Sequence, residues 1–287
     1  MDATTIITQI FLPISLAIIM FGMGLTLVIN DFTRLFTYPK EIFIGLFNQL
    51  VFLPLIGFLI ILLFDLDSTM AIGIMILSLC PGGPTSNLIT QVSRGNIGLS
   101  VTLTALASLI TVFTILIILS EAISYFSGEI DVIIELPIVQ TMIQILVITV
   151  IPVSIGMVIR KKNEDFALRM ERPMRIASTV LFIIIFLLVM IANKDLIVQA
   201  MKEVGFATLL LNLSTMALGY MTAKLFGVKG KSQISITIES GIQNGTLAFV
   251  IATTILNNVE MGLPTGAYSI WMFISGGILM WRLGGSK

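Results

Sequence analysis

"LCPGGPTSNLITQ", residues 79–91, decides how this chain folds. The stretch Met70 to Leu79 before it is almost wholly apolar, and so is the stretch after residue 96. Between them stand Pro81, Gly82, Gly83 and Pro84, followed by the side-chain oxygens of Thr85, Ser86 and Asn87. Proline lacks the N–H that a helix needs, and glycine weakens a helix interior. The sequence therefore predicts a broken helix with polar groups at the break. At membrane depth, unwound backbone is tolerated only where it is buried in protein or lines a wet cavity. The break exchanges helix hydrogen bonds for backbone groups that can hold ligands in the middle of the membrane.

Composition supplies the membrane. Of the 287 residues, 56% are hydrophobic and only 11% charged, against about 25% charged in soluble domains. The chain reads as an integral membrane protein. Its net charge of +0 argues against nucleic acid as a partner. The single cysteine, Cys80, excludes an internal disulfide, and the absence of histidine excludes a His ligand, base or proton relay. The start, "MDATTIITQIFLP", lacks a basic n-region and a small-residue cleavage site, so it is expected to lead into a retained span rather than a signal peptide.

A helix needs about 20 apolar residues to cross the hydrocarbon core. Nine candidate spans follow: roughly 8–29, 41–64, 69–91, 97–119, 134–159, 175–193, 204–226, 232–256 and 264–283. On this scheme 14 of the 16 Lys and Arg fall on one side, and only Lys194 and Lys202 on the other. The positive-inside rule then puts the N-terminus outside and the C-terminus in the cytoplasm of a multi-pass plasma-membrane (cell inner membrane) protein. The basic loop 160–175 reads first as a topology determinant.

A second polar interruption, "TIESGIQNGTLA" at 237–248, lies within the eighth span. Glu239 there is the sole acid deep inside a span; at 1.5 Å per residue it lies about 12 Å beyond Lys231. A carboxylate at that depth needs a partner, and the spans offer no deep Lys or Arg. A bound cation or a proton remains. Gln243 is one turn on, Ser100 and Thr104 repeat that spacing in the fourth span, and Gln49 precedes Pro54 in the second. Neutral oxygens around one carboxylate suit a hard cation, and the low charge density suits Na+ better than Ca2+. The third and eighth spans run in opposite directions. Interrupted helices at matching places in oppositely oriented halves point to an inverted-repeat transporter, whose half-helix N-termini favour an anion.

Plainer readings exist. Pro and Gly kink many membrane helices. The stripe Ser100, Thr104, Ser108 and Thr111 is compatible with packing or back-bonding to carbonyls. Gln49 alone could be an interhelical hydrogen bond, Gly22, Gly24 and Gly45 close-packing positions, and Trp271, Trp281 and Tyr268 interfacial anchors.

"FGMGLTL" at 21–27, "CPGGPTSN" at 80–87, "RGNIGLSV" at 94–101 and "ESGIQN" at 239–244 make the chain resemble the bile acid:sodium symporter family, the group of apical sodium-dependent bile acid transporters and their bacterial relatives. The likeness covers nearly the whole chain. It implies an all-α polytopic fold of inverted repeats with two crossing broken helices. The panel would comprise 1–40 and 121–200, and the core would comprise a first repeat at 41–120 and a second at 201–287. It implies two sodium sites: Ser86, Asn87, Ser100, Thr104 and Glu239 in one; Gln49, Glu239 and Gln243, with the backbone carbonyls of Ser240 and Ile242, in the other. Asn244, Pro84, Thr85, Met272 and Phe273 would face the substrate, a small organic anion that is bile-acid-like, pantoate-like or another carboxylate. Many bacterial relatives carry Thr where Pro84 stands, and "WHN" where this chain reads Trp271-Met272-Phe273. Those departures remove polar groups and point to a less polar monoanion. The expected function is sodium-coupled symport by alternating access. A proton-coupled carrier or exporter using Glu239, and a binding or sensor protein that never cycles, are the alternatives; with no histidine base and no intramembrane aspartate pair, an enzyme is not expected.

Overall fold

The computed structural model describes residues 7–126, 138–170 and 201–285 as continuous stretches, with 173, 174, 176, 177, 180, 184 and 198 as isolated positions. Among the described residues every regular element is helical, apart from one isolated backbone bridge. Among the described residues, six helices are long and apolar enough to cross a membrane. The expected span 175–193 lies outside the continuously described residues.

Helix α1 is Leu12–Thr26, entered through a π turn at Ile7–Phe11. Helix α2 runs Pro39–Phe64. Pro54 interrupts it: its missing N–H cannot close the regular ladder, and the chain relaxes into a π segment at Asn48–Phe52. That segment carries Asn48 and Gln49, both buried.

The third expected span divides. Helix α3 is Ser68–Leu79, capped by the Asp67 side chain, which accepts from Thr69 N at 2.9 Å and Met70 N at 3.1 Å. It ends because Cys80 precedes a proline, which forces extended backbone (φ −77°, ψ 144°). Helix α4, Pro84–Val92, restarts with proline in its first turn, where no intrahelical N–H bond is lost, after an extended Gly83 (φ −124°, ψ 176°). Helix α5 is Ile97–Phe126, α6 is Val139–Lys162 and α7 is Gly205–Leu225. The eighth expected span divides too. Helix α8, Lys231–Gly241, ends at an extended Ile242. Helix α9, Gly245–Val250, is capped by Asn244, whose side chain accepts from Leu247 N at 3.0 Å, and continues as a π turn at Ile251–Ile255. Helix α10 is Leu263–Gly284.

The two breaks meet. Gly82 and Gln243 form an antiparallel bridge, and Asn244 N donates to Pro81 O at 2.8 Å. Backbone groups freed by one break are thus satisfied by the other, the condition for breaking helices at that depth. The crossing sits inside the main apolar core, and α3 is buried continuously from Met70 to Leu79. Small residues allow helices to approach. A Cβ on Gly156 of α6 would stand 2.6 Å from Phe21 O of α1, and one on Gly45 2.6 Å from Leu103 of α5.

Candidate functional site

Glu239, on the last turn of α8, is 0% exposed. Ser86 from α4 and Ser100 from α5 donate to its Oε1 at 2.6 and 2.5 Å. Thr104 from α5 and Gln49 from α2 donate to its Oε2 at 2.9 and 3.3 Å. Gln49 also donates to the Glu239 carbonyl at 2.9 Å. Three helices from distant parts of the sequence therefore converge on the carboxylate that a fourth, α8, carries, and among the described residues no cation pairs with it. Gly82 completes the packing: a Cβ there would lie 2.5 Å from Glu239 Oε2 and 3.2 Å from Gln49 Nε2.

The surrounding oxygens have lone pairs to spare. Gln49 Oε1 and Gln243 Oε1 are buried and accept no hydrogen bond. An unmade acceptor of that kind costs about 1–3 kcal/mol, a cost that a bound cation removes. The hydroxyls have second acceptors within reach. Ser86 Oγ lies 2.7 Å from Gly83 O, and Ser100 Oγ 2.8 Å from Asn87 Oδ1. A hydroxyl has one proton. Turning it to the second acceptor aims a lone pair at the space beside Glu239 without moving a heavy atom. The donor set is all oxygen, one charged and the rest neutral, which fits a hard monovalent cation. Of the backbone groups expected in the second site, Ser240 O accepts from Gln243 Nε2 at 3.0 Å, and Ile242, 0% exposed, lies in the break itself.

Beside the crossing lies a cavity of about 410 Å³, within the range of small-molecule sites. Asn244, Pro84, Thr85, Met272 and Phe273 all line it, as do Asn87 and Gln243. Its remaining wall is mostly apolar, from Ile19 and Met23 of α1 to Met280 of α10. The first turns of α4 and α9 both border it, and none of its lining residues carries a formal charge. Pro84 occupies a first-turn position of α4 and lines the cavity without an N–H to offer it.

Comparison with known proteins bears on this geometry. Residues 13–200 match the Sodium Bile acid symporter family. The chain belongs to that family. The uncharacterized sodium-dependent transporter YocS of Bacillus subtilis is 28% identical over 273 residues, covering 94% of this chain and 81% of the relative. The probable chloroplastic sodium/metabolite cotransporter BASS1 of Arabidopsis thaliana is 29% identical, over 96% of this chain and 67% of its own length. The human ileal sodium/bile acid cotransporter is 27% identical, over 86% and 70%. The chain is therefore a multi-pass membrane protein of a sodium-dependent transporter family, not an enzyme.

The structure revises several of the plainer sequence readings and adds residues. Tyr268 is not an interfacial anchor: it is 0% exposed and donates to Gly241 O at 2.9 Å. Asn212 of α7 donates to the same carbonyl at 2.7 Å. Together they satisfy a carbonyl that the end of α8 leaves without a helical donor. Asn48 donates to Thr222 at 2.9 Å and Ser240 at 3.3 Å, tying α2 and α7 to the turn that carries Glu239. Trp281 is 78% exposed near the end of α10, whereas Trp271 donates to Gly205 O at 2.8 Å. Gly24 packs against the α6 backbone at Val153, as a close-packing glycine should, whereas Gly22 lines the cavity. Ser108 back-bonds to Thr104 O at 2.7 Å, the plain structural reading, whereas Thr111 Oγ1 is buried with no hydrogen-bond partner. The proximity of Asn48 to Gln49, and the one-turn spacing of Tyr268 to Met272, were the available signals for the added residues.

Proposed function

We propose that this protein is a secondary active symporter that carries a small organic anion together with two sodium ions by alternating access. One observation carries the reading: the fully buried Glu239 is ringed by neutral oxygens, two of them orphaned, beside an uncharged cavity at the meeting of two broken helices. The first ion is assigned to Ser86, Asn87, Ser100, Thr104 and Glu239. The second is assigned to Gln49, Glu239 and Gln243 with the carbonyls of Ser240 and Ile242. A cation about 4 Å from a carboxylate gains roughly 4 kcal/mol at an effective dielectric of 20, enough to offset much of the cost of holding the charge at that depth.

Coupling follows from charge. Two sodium ions around one carboxylate leave one positive charge next to the cavity. A monoanion neutralises it, aided by the first turns of α4 and α9. Each ion then raises the affinity for the anion, and the anion raises the affinity for the ions by the same factor. Asn244 and Thr85 hold the anionic end, and Pro84, which has no N–H to offer, adds to the apolar wall. Met272 and Phe273 contact its body, which is why a less polar monoanion fits better than a polar dicarboxylate.

The alternation is assigned to a core of 41–120 and 201–287 moving against a panel of 1–40 and 121–200. Each core half contributes one broken helix, as an inverted repeat would. The cavity lining reaches Thr26, Gln91 and Met280; with the N-terminus outside, these helix ends would be cytoplasmic, which supports an inward-facing state. The test is uptake into proteoliposomes across a panel of organic monoanions. Accumulation should require an inward sodium gradient and should not follow a proton gradient alone. Proton-driven uptake without sodium would contradict the reading, and binding without accumulation would make the protein a sensor.

A further inference from the structure

A second cavity, of about 560 Å³, lies away from Glu239, between the segment 27–30 and the last turns of α6. The sodium and anion sites do not use it. Val28, Ile29 and Met157 give it an apolar wall, and Arg160, Lys161 and Glu164 give it a charged rim. The Arg160 side chain is only 15% exposed, and its Nε is buried with no hydrogen-bond partner. The ion pair it makes runs from Nη2 to Glu164 Oε1 at 3.3 Å, and the Glu164 side chain is 68% exposed. Such a pair contributes little. A guanidinium carries five donors in a fork shaped for carboxylate or phosphate oxygens. Here that fork is held nearly buried at a cavity with a donor unmet.

The apolar wall says which kind of anion. It continues onto Ile29 and Val158, 57% and 51% exposed, and onto Ile155, 50% exposed. These last two lie on α6, of whose most apolar stretch only 17% is buried. The cavity therefore opens onto a face that lies in lipid rather than onto water alone. Two cations and one carboxylate at the rim leave a single positive charge, which matches a phosphodiester better than a phosphate dianion. We propose that this cavity binds the headgroup of an anionic phospholipid, its diester on Arg160 and Lys161 and an acyl chain along Ile29 and Val158. Basic pockets between membrane helices suit such headgroups, and the bidentate fork adds orientation to charge. The proposal is independent of the transport reading.

Native mass spectrometry of the full-length protein in detergent tests it, with phosphatidylglycerol, phosphatidylcholine and inorganic phosphate as probes. The wild type should retain phosphatidylglycerol well above phosphatidylcholine. Arg160→Gln with Lys161→Gln should weaken phosphatidylglycerol roughly 30-fold, since each basic side chain near an anionic lipid surface contributes about fivefold. Glu164→Gln should bind it as well as the wild type or better, because a competing carboxylate is gone; this variant decides the matter if the double variant fails to fold. Equal retention of the two lipids, a double variant that binds like the wild type, or weaker binding in Glu164→Gln would each overturn the proposal. So would displacement of phosphatidylglycerol by millimolar inorganic phosphate, which would make this a small-anion site.

Discussion

Gly82→Ala adds one methyl group at the place where the two broken helices touch. The new Cβ would stand 2.5 Å from Glu239 Oε2. Ordinary carbon–oxygen contacts begin near 3.3 Å, so the carboxylate must retreat by roughly 0.8 Å. It cannot swing away freely. Four side chains hold its oxygens, at 2.6, 2.5, 2.9 and 3.3 Å. The backbone cannot yield cheaply either, because Gly82 is bridged to Gln243. If the displaced carboxylate loses one charge-assisted contact to the ions, the loss is about 1.5–3 kcal/mol, or about 10- to 150-fold in sodium affinity. Gly83→Ala is the control. Its Cβ would meet Asn244 atoms at 3.4 to 3.6 Å, ordinary contact, so sodium affinity should move less than about threefold. The assay is a sodium titration of thermal stability in purified protein, with choline chloride holding ionic strength constant. Equal sodium midpoints for Gly82→Ala and wild type, in a folded variant, would refute the packing argument.

Other predictions divide the site. Thr104→Ala and Gln49→Ala each remove one neutral ligand and should raise the sodium needed for half-maximal transport by about 5- to 150-fold, with activity recovered at high sodium. Asn244→Ala should instead weaken the anion far more than sodium; identical patterns in Gln49→Ala and Asn244→Ala would end the assigned division. Tyr268→Phe removes one of the two donors to Gly241 O, at 2.9 Å, while Asn212 keeps the other at 2.7 Å. It should cost about 1 kcal/mol and be more damaging combined with Asn212→Leu than the two singles predict, as thermal unfolding of the three variants would reveal. Asn163→Cys in a Cys80→Ala background should resist impermeant thiol reagents in intact cells, and ready labelling from outside would reverse the assigned topology.

Much of the crossing was legible because the membrane punishes ambiguity. Pro81 and Pro84 force extended backbone at the residues before them, Cys80 and Gly83, and the structure has both extended. Glu239 stood out because no other acid lies that deep, and its one-turn spacing to Gln243 tied it to the second break. The grouping of Ser86, Asn87, Ser100 and Thr104 around it rested on motif likeness, since spacing within α5 says which face two residues share and nothing of which helix they meet. What stayed hidden is what depends on packing. Tyr268 reads the same whether it sits at a lipid interface or, as here, under Gly241. Asn212 carries no pattern beyond polarity, and Asn48 only its place beside Gln49. The need for glycine at 82 comes from a carboxylate that is 157 residues away in sequence and within hydrogen-bonding distance in space.

The central claim is that Glu239 is the charge on which sodium binding depends. Calorimetric titration of sodium chloride into the purified protein, against potassium chloride, in wild type, Glu239→Ala and Glu239→Gln, tests it most directly. The account predicts saturable sodium heats in the wild type, none with potassium, and none with either ion in the two variants, provided that both remain folded by thermal unfolding. Saturable sodium binding of wild-type affinity in a folded Glu239→Gln protein would contradict it.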